Sequence, residues 1–454
     1  MNRFFGTDGF RGRAGKELTA EHAFAVGRFL GWYYGAAKGK KCRAVIGKDT
    51  RRSSYMLEYA LAAGLTASGA DAYIMHVTTT PSVAYAARSF NFDCGIVISA
   101  SHNAFGDNGI KILNSSGEKL SDGVTGLIED YLTGALRSGG AAVEVPFACG
   151  ADVGSVIDFV AGRNNYTAHL ISLAPGSLAG YRIGLDCANG SAYNIARRVF
   201  RALGAKVFAI GCQPDGTNIN DNCGSTRPAR LRALVRERGL DAGFAFDGDG
   251  DRCICVDERG EVVDGDGILY ILSDYLRRSG GLIGDKVVAT VMSNSGLISS
   301  LKSRGIGVEV CGVGDRLVYE RMRDCGAALG GEQSGHIIIG KVENTGDGIV
   351  TALWVMQALA LSGGAFSHLL SGLELYPQVC ASVPVKDKAR AASPDVAREV
   401  ARAEALFNGR GRVLVRPSGT ENVVRVMVEC PDGQMCREAC AAIVRAIKGD
   451  ICAE

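Results

Sequence analysis

The chain has 454 residues, 47% hydrophobic and 22% charged, enough for about three domains with buried cores. Its 50 basic and 48 acidic residues leave a formal net charge of +2, which excludes an electrostatic case for a nucleic-acid partner, and no Lys/Arg cluster makes one locally. The longest apolar run, Ile349 to Leu361, carries Thr351 and Gln357 and is too short to span a membrane, so it reads as a buried helix.

The opening Met1-Asn-Arg-Phe-Phe-Gly-Thr-Asp-Gly-Phe-Arg-Gly12 holds no apolar run of signal-peptide length, and a cytoplasmic protein is expected. The fifteen cysteines agree: they are scattered, with no Cys-x-x-Cys, and read mainly as small apolar core residues in a reducing compartment.

Taken in order, the chain repeats itself. Ala44-Val-Ile-Gly-Lys-Asp-Thr50 opens a unit that continues through a helix over Tyr55 to Ala67 and a strand within Gly69-Ala-Asp-Ala-Tyr-Ile-Met75. The same grammar returns as Arg182-Ile-Gly-Leu-Asp-Cys187, a helix over Ile195 to Leu203, and Gly204-Ala-Lys-Val-Phe-Ala-Ile210. A third copy runs from Lys286-Val-Val-Ala-Thr-Val-Met292 through a helix over Leu297 to Ser303 into Gly305-Ile-Gly-Val-Glu-Val310. Strand, polar turn, helix, Gly cap and strand make a βαβ unit with parallel strands. Three copies imply three related α/β domains with mixed, mainly parallel sheets.

Each copy adds a strand introduced by a pair ending in Gly, at Cys94-Gly95, Ala242-Gly243 and Cys325-Gly326, and each of these strands ends in an unusual loop. The loops are Ser99-Ala-Ser-His-Asn103, Asp247-Gly-Asp-Gly-Asp-Arg252 and Gly331-Glu-Gln-Ser-Gly-His336. Ligands of α/β sheets bind outside the carboxyl ends of strands, so the three are expected to face one central cleft. After Gly372 the pattern changes to that of a smaller C-terminal α+β domain, with a hinge expected over Ser371 to Gln378. The expected division is 1–150, 151–256, 257–370 and 371–454.

The loops carry the chemistry. Ser101 ends a strand-like run beside His102, ten residues before Lys111, and is expected to be exposed in a cleft as a reactive hydroxyl; an ordinary polar turn is the alternative. Asp247, Asp249 and Asp251 put three carboxylates into five residues, with glycines that let the backbone turn tightly. Such a group repels itself without a hard divalent cation. Glu258 falls where an EF-hand would place its last ligand, but Arg252 replaces the required Gly and strands flank the loop. Arg416-Pro-Ser-Gly-Thr-Glu421 offers a guanidinium, hydroxyls and free amides to a phosphate, with a plain hairpin turn equally open. Glu332 and Ser334 suit sugar hydroxyls.

In this combination and order, from Phe5-Gly-Thr-Asp-Gly9 onward, the motifs resemble those of the α-D-phosphohexomutase family, most closely its bacterial phosphoglucosamine mutases. The resemblance implies that Ser101 is carried as phosphoserine and that phosphorylation is required for activity. It implies that Asp247, Asp249 and Asp251 hold one Mg2+ with an oxygen at Ser101, and that Glu332 to Ser334 form the sugar loop. Arg416, Ser418, Gly419 and Thr420 match the loop gripping the substrate's distal phosphate, and Arg11, His102, Lys111 and His336 lie near the reacting groups, Lys111 being the candidate for proton transfer. The chain departs from the family at Ala104 and Asn422, where prolines are usual.

The activity implied is isomerisation of glucosamine 6-phosphate to the 1-phosphate through a sugar bisphosphate, supplying amino-sugar precursors of the cell wall. A phosphomannomutase or phosphoglucomutase is the alternative within the family, and a Mg2+-dependent phosphatase or a silent phosphosugar-binding protein the alternatives outside it. The partner expected is a small phosphosugar, with neither nucleic acid nor membrane, and an oligomer is compatible.

Overall fold

The computed structural model describes residues 4–6, 9–174, 176–418 and 422–449. They form two compact units: one runs to Val291 and resumes over Glu309–Ser371, and the other joins Met292–Val308 to the chain from Gly372 on.

The first sheet of the larger unit has seven strands in the order Phe5–Gly6, Gly9–Arg13, Asp107–Asn114, Cys94–Ile98, Arg43–Lys48, Asp71–Val77, Val156–Asp158. Its centre is parallel: Arg43–Lys48 pairs in parallel with both Asp71–Val77 and Cys94–Ile98. Beyond Cys94–Ile98 the direction reverses, because Asp107–Asn114 returns antiparallel beside it. Val45, Ile46, Ile96 and Val97 are all buried, as expected of strands covered by helices on both faces. The repeat's helix spans Arg52–Thr66, beginning three residues before the expected Tyr55. The early start follows from Asp49, which accepts from the Arg51 amide and turns the chain before the first apolar position.

The second sheet orders Lys206–Ile210, Arg182–Asp186, Ala242–Phe246, Cys253–Val256 and Val262–Val263. Its first three strands are parallel and its last two antiparallel. The third orders Gly307–Cys311, Lys286–Thr290, Leu329–Gly331 and Ile337–Ile339, again with a parallel pair followed by an antiparallel return. The three-copy reading of the sequence is thus the architecture observed. In every copy the chemistry-bearing loop is the hairpin joining the last parallel strand to its antiparallel neighbour.

The apolar run at Ile349 lies in the helix Gly348–Ser362, with Ile349, Val350, Leu353, Val355 and Met356 buried. Among the described residues no helix is long and apolar enough to cross a membrane. Cysteines 42, 94, 187, 223, 253, 255, 430, 436 and 440 are buried and unbridged, as core residues in place of a disulfide framework.

The smaller unit carries a three-stranded antiparallel sheet, Gln378–Pro384, Val423–Glu429 and Arg412–Pro417, in that order. The helices Pro394–Phe407 and Gly433–Lys448 cover its core of Val383, Val424, Val426, Val428, Phe407 and Ile443. The helix Ser295–Ser303 belongs here: the Ser295 amide donates to Glu429 Oε1 at 2.7 Å, and Asn294 Nδ2 donates to the Tyr376 carbonyl at 2.9 Å.

Candidate active site

Three hairpin loops of the larger unit meet at close quarters. A Cβ on Gly248 would lie 2.5 Å from the Ser101 carbonyl, and one on Gly335 would lie 2.3 Å from the Cys253 carbonyl. Only glycine admits these approaches, and Gly335 also has φ +90°. The expectation that the strand-end loops share one place holds for the serine, acidic and third loops.

Ser101 stands in the left-handed region at φ 52°, a conformation that costs an ordinary L-residue roughly 1–2 kcal/mol. Its Oγ donates to Asp247 Oδ2 at 2.6 Å and lies 3.3 Å from His102 Nδ1. The expected exposed hydroxyl is corrected here, because Ser101 is only 1% exposed. The acidic loop closes over it, an arrangement that depends on how two sheets meet and so lies beyond the local pattern.

Asp247, Asp249 and Asp251 are buried, with ligand-capable oxygens within 4.8 Å of one another. Lys111 Nζ donates to Asp249 Oδ2 at 2.7 Å and to Asp251 Oδ2 at 3.4 Å, and Thr80 Oγ1 donates to Asp249 Oδ2 at 2.6 Å. Burial, with Asp251 and then Asp249 adding repulsion, pushes the Asp247 carboxyl well above the usual range. Burial and Asp251 act the same way on Asp249, but Lys111 and Thr80 outweigh them and hold it low. Burial also opposes ionisation of Asp251, and Lys111, His336 and Arg252 overcome it, leaving that carboxyl well below its ordinary value.

Asp249 Oδ1 and Asp251 Oδ1 are buried without a hydrogen-bond partner among the described residues, Asp251 Oδ1 having Arg252 Nε at 3.9 Å as an ion-pair contact. Orphaned carboxylate oxygens are costly unless a cation takes them. Three hard oxygen donors, two of them with an oxygen that accepts no hydrogen bond among the described residues, fit a small divalent cation.

Around this centre His102 is held below its ordinary pKa by burial, then by Arg252 and Arg11, so its imidazole is neutral at pH 7. Arg252 Nη1 lies 3.4 Å from His102 Nδ1. Arg11 lies in the strand Gly9–Arg13 opposite Gly109, a bare position over which its side chain packs. His336 Nδ1 and Nε2 lie 3.8 Å from Asp251 Oδ2 and Asp315 Oδ2 respectively. Burial disfavours its charge, yet Asp251, Asp315 and Glu332 win and its pKa is raised. Glu332 Oε1 accepts from the Gly314 amide at 3.0 Å, whereas Ser334 is exposed. A cavity of about 480 Å³, bounded by Lys111, Lys119, Asp315, Arg316 and the strand Phe5–Gly6, opens beside Lys111.

Models of four successive domains match the chain in order: phosphoglucomutase/phosphomannomutase α/β/α domain I over residues 2–136, domain II over 164–260, domain III over 264–376 and the C-terminal domain over 381–446. The chain belongs to the phosphoglucomutase/phosphomannomutase family. Among curated members, it is 54% identical over 452 residues to the phosphoglucosamine mutase of Lachnospira eligens, covering 99% of both chains. It is 52% identical over 449 residues to that of Lachnoclostridium phytofermentans, covering 99% of this chain and 98% of the relative. A solved family protein from Burkholderia thailandensis superposes with a TM-score of 0.79 at 25% identity, covering 98% and 97% of the two chains. At 16% identity the fold is shared with Aspergillus fumigatus N-acetylphosphoglucosamine mutase, solved with GlcNAc-6P and magnesium, at a TM-score of 0.69 over 99% of this chain and 96% of that one. The chain is therefore an isomerase of the phosphohexomutase kind, with a buried aspartate triad able to bind a metal.

In the smaller unit Arg416 is exposed and pairs across the sheet with Arg425, and both border a depression of about 250 Å³. Ser418 is buried, its carbonyl accepting from Lys388 Nζ at 2.8 Å. Gly419, Thr420 and Glu421, like Thr7 and Asp8 of the first motif, lie outside the described residues.

Sequence reasoning missed what holds the family's serine loop. Arg51 is fully buried, and its guanidinium donates to the carbonyls of Ser101 and Asn103, each at 2.9 Å, of Asp107 at 3.1 Å, and of Ala104. Asn220 Nδ2 reaches the Ser101 and Asn103 carbonyls from another loop, at 2.8 and 2.9 Å. A signal was present in Asp49-x-Arg51, an ion pair directly after a buried strand, but it passed as a polar turn.

Proposed function

We infer that the chain is a phosphoglucosamine mutase, interconverting glucosamine 6-phosphate and glucosamine 1-phosphate through phosphoserine 101 and a sugar 1,6-bisphosphate. The observation that carries this reading is the 2.6 Å hydrogen bond from Ser101 Oγ to Asp247 in a buried triad. The choice of amino sugar rests on full-length similarity to phosphoglucosamine mutases at 52–54% identity. The four-part division at 1–150, 151–256, 257–370 and 371–454 belongs to the same reading, each part carrying one loop.

In this reading Asp247, Asp249 and Asp251, with an oxygen at Ser101, hold Mg2+, which when bound neutralises charge on the transferring phosphoryl group. Phosphoserine brings about −1.5 to −2 charge at neutral pH, and Lys111, Arg252 and Arg11 are the cations that answer it. Lys111, paired with the acidic loop, is the candidate for moving the sugar hydroxyl's proton, with His336 beside the same carboxylates. Neutral His102 presents Nδ1 to Ser101 Oγ and orients it. Glu332 and Ser334 meet the sugar, and Arg416, Ser418, Gly419 and Thr420 take its distal phosphate. The serine loop's burial limits water, without which restraint a mutase becomes a phosphatase.

The test is to give purified protein glucose 1,6-bisphosphate, read intact mass and peptide maps, and compare turnover of glucosamine, glucose and mannose phosphates. One phosphoryl group on Ser101, fastest turnover of the glucosamine phosphates and loss of nearly all activity in Ser101→Ala are expected. Full activity in Ser101→Ala, or stable label on an aspartate, would overturn the mechanism; a preference for mannose or glucose phosphates would move the chain to the other branch.

A further inference from the structure

The buried guanidinium of Arg51 is unusual in where its hydrogen bonds go. An arginine has five N–H donors. Here one, on Nε, goes to Asp49 Oδ2 at 2.7 Å, and the two terminal nitrogens reach four carbonyls of the single segment 101–107. The loop is wrapped around one cation. Its partner Asp49 is equally committed: Oδ1 accepts from the Arg51 amide and from Ser54 Oγ, and Oδ2 accepts from Ser99 Oγ at 2.7 Å. Ser99 Oγ in turn accepts from the Ser101 amide at 2.9 Å. The Ser101 residue is thus gripped at both ends of its backbone by one ion pair, its carbonyl directly by Arg51 and its N–H through Ser99 by Asp49.

This grip explains how a serine persists at φ 52°, since strained backbone survives where surrounding contacts over-determine it. It also bears on the departure at position 104. Ala104 lacks the ring that would fix φ, but its carbonyl is held by Arg51 Nη1, so the cation supplies the restraint.

We propose that Arg51, backed by Asp49, is a positioning residue for phosphoryl transfer at Ser101, holding the serine peptide so that Oγ occupies the same point in both halves of the reaction. The inference rests on the mutase reading. In the first half the bond from Oγ to phosphorus breaks and a bond from phosphorus to the sugar oxygen forms, the sugar hydroxyl giving up its proton to a base. In the second half the bond between the sugar's other phosphate and its sugar oxygen breaks, that oxygen regains a proton, and the bond to Oγ forms again. Oγ is leaving group once and nucleophile once. A displacement of about 1 Å at such an atom costs on the order of a hundredfold in rate.

The experiment measures steady-state kcat and KM with glucosamine phosphate, together with the single-turnover rates of Ser101 phosphorylation by glucose 1,6-bisphosphate and of its reversal. Arg51→Lys keeps the charge but cannot reach four carbonyls; it should lower kcat and both single-turnover rates about a hundredfold while KM changes less than about threefold. Arg51→Ala should recover at least about tenfold in kcat on adding guanidinium chloride at low concentration, and not on adding methylammonium, because only the planar ion restores the fork of donors. Folded Arg51→Lys with wild-type transfer rates, or a loss confined to KM, would overturn the proposal. If neither Arg51 variant folds, Asn220→Ala decides, since it removes the second grip on the same two carbonyls: kcat lower by about tenfold with KM unchanged supports the proposal, and unchanged kcat overturns it. Failure of the wild-type protein to take phosphoryl on Ser101 would instead overturn the mutase reading.

Discussion

Asp249 divides its two carboxylate oxygens between different surroundings. Its Oδ2 is taken by Lys111 and Thr80, while Oδ1 has no partner among the described residues. Asp249→Asn keeps an acceptor for those donors but removes a charge from the triad. Turnover is expected to fall by roughly a hundredfold or more, in line with loss of one preorganised electrostatic group. The melting temperature of the metal-free protein should fall at neutral pH, because Lys111 and Thr80 outweigh the repulsion within the triad and the variant leaves Lys111 with a weaker partner. Activity titrated against Mg2+, with calorimetry for the binding itself, checks this; wild-type turnover with the same metal dependence would remove Asp249 from the metal site.

The helix Gly348–Ser362, whose Gly348 amide donates to the Gly250 carbonyl of the acidic loop at 3.0 Å, offers a second test of buried electrostatics. Asp347 caps it, Oδ1 accepting from the amides of Ile349 and Val350 at 2.9 and 3.0 Å, while Oδ2 accepts from the Tyr166 hydroxyl at 2.5 Å. Burial pushes this carboxyl from 3.8 up to about 7. The folded chain therefore holds the proton more tightly than the unfolded chain. This contribution to stability is complete below pH 3.8 and is lost as pH rises to about 7, beyond which it stays lost. Asp347→Asn still caps, through its amide oxygen, and has no proton to lose. Melting temperatures of the variant and wild type measured from pH 4 to 8 should diverge across that window, the variant gaining relative to wild type as pH rises; parallel curves would show that Asp347 ionises normally.

At this scale the sequence was most legible. A Gly after each repeat's helix and an apolar run after each Gly sufficed to place the βαβ units, because those signals are local. Ser101 and the three aspartates, which the structure brings together, stood out for the same reason: polar groups crowded into a short turn after a buried run. Arg51 was not. Its partners lie some fifty residues away, and they meet because Arg43–Lys48 and Cys94–Ile98 are neighbours in the sheet. The burial of Ser101 was hidden too, since the covering loop belongs to another sheet.

At the scale of the whole molecule the chain divides into a larger unit holding Ser101 and the triad and a smaller one holding Arg416. Arg416 is exposed and stands directly across the sheet from Arg425. Arg416→Ala should leave the fold intact and weaken substrate binding by roughly ten- to a hundredfold, the worth of a charge-assisted hydrogen bond of about 1.5–3 kcal/mol. The single-turnover rate at saturating substrate should change much less. Titration of glucosamine 6-phosphate into both proteins reads the effect, and equal affinity would exclude Arg416 from phosphate binding.

The guanidinium cage around the serine loop also has a consequence for the order in which this protein comes into being. Arg51, the loop it holds and every strand of the seven-stranded sheet lie at or before Asp158, whereas Asp247 follows about ninety residues later, a delay of roughly 5 to 18 s at usual rates of synthesis. The backbone around Ser101 has its Arg51 and Asp49 partners within reach on the ribosome before any carboxylate of the triad exists. If the sheet forms as the chain is made, the carboxylates of the triad arrive at a peptide that Arg51 already holds, with Asn220 adding its grip in between.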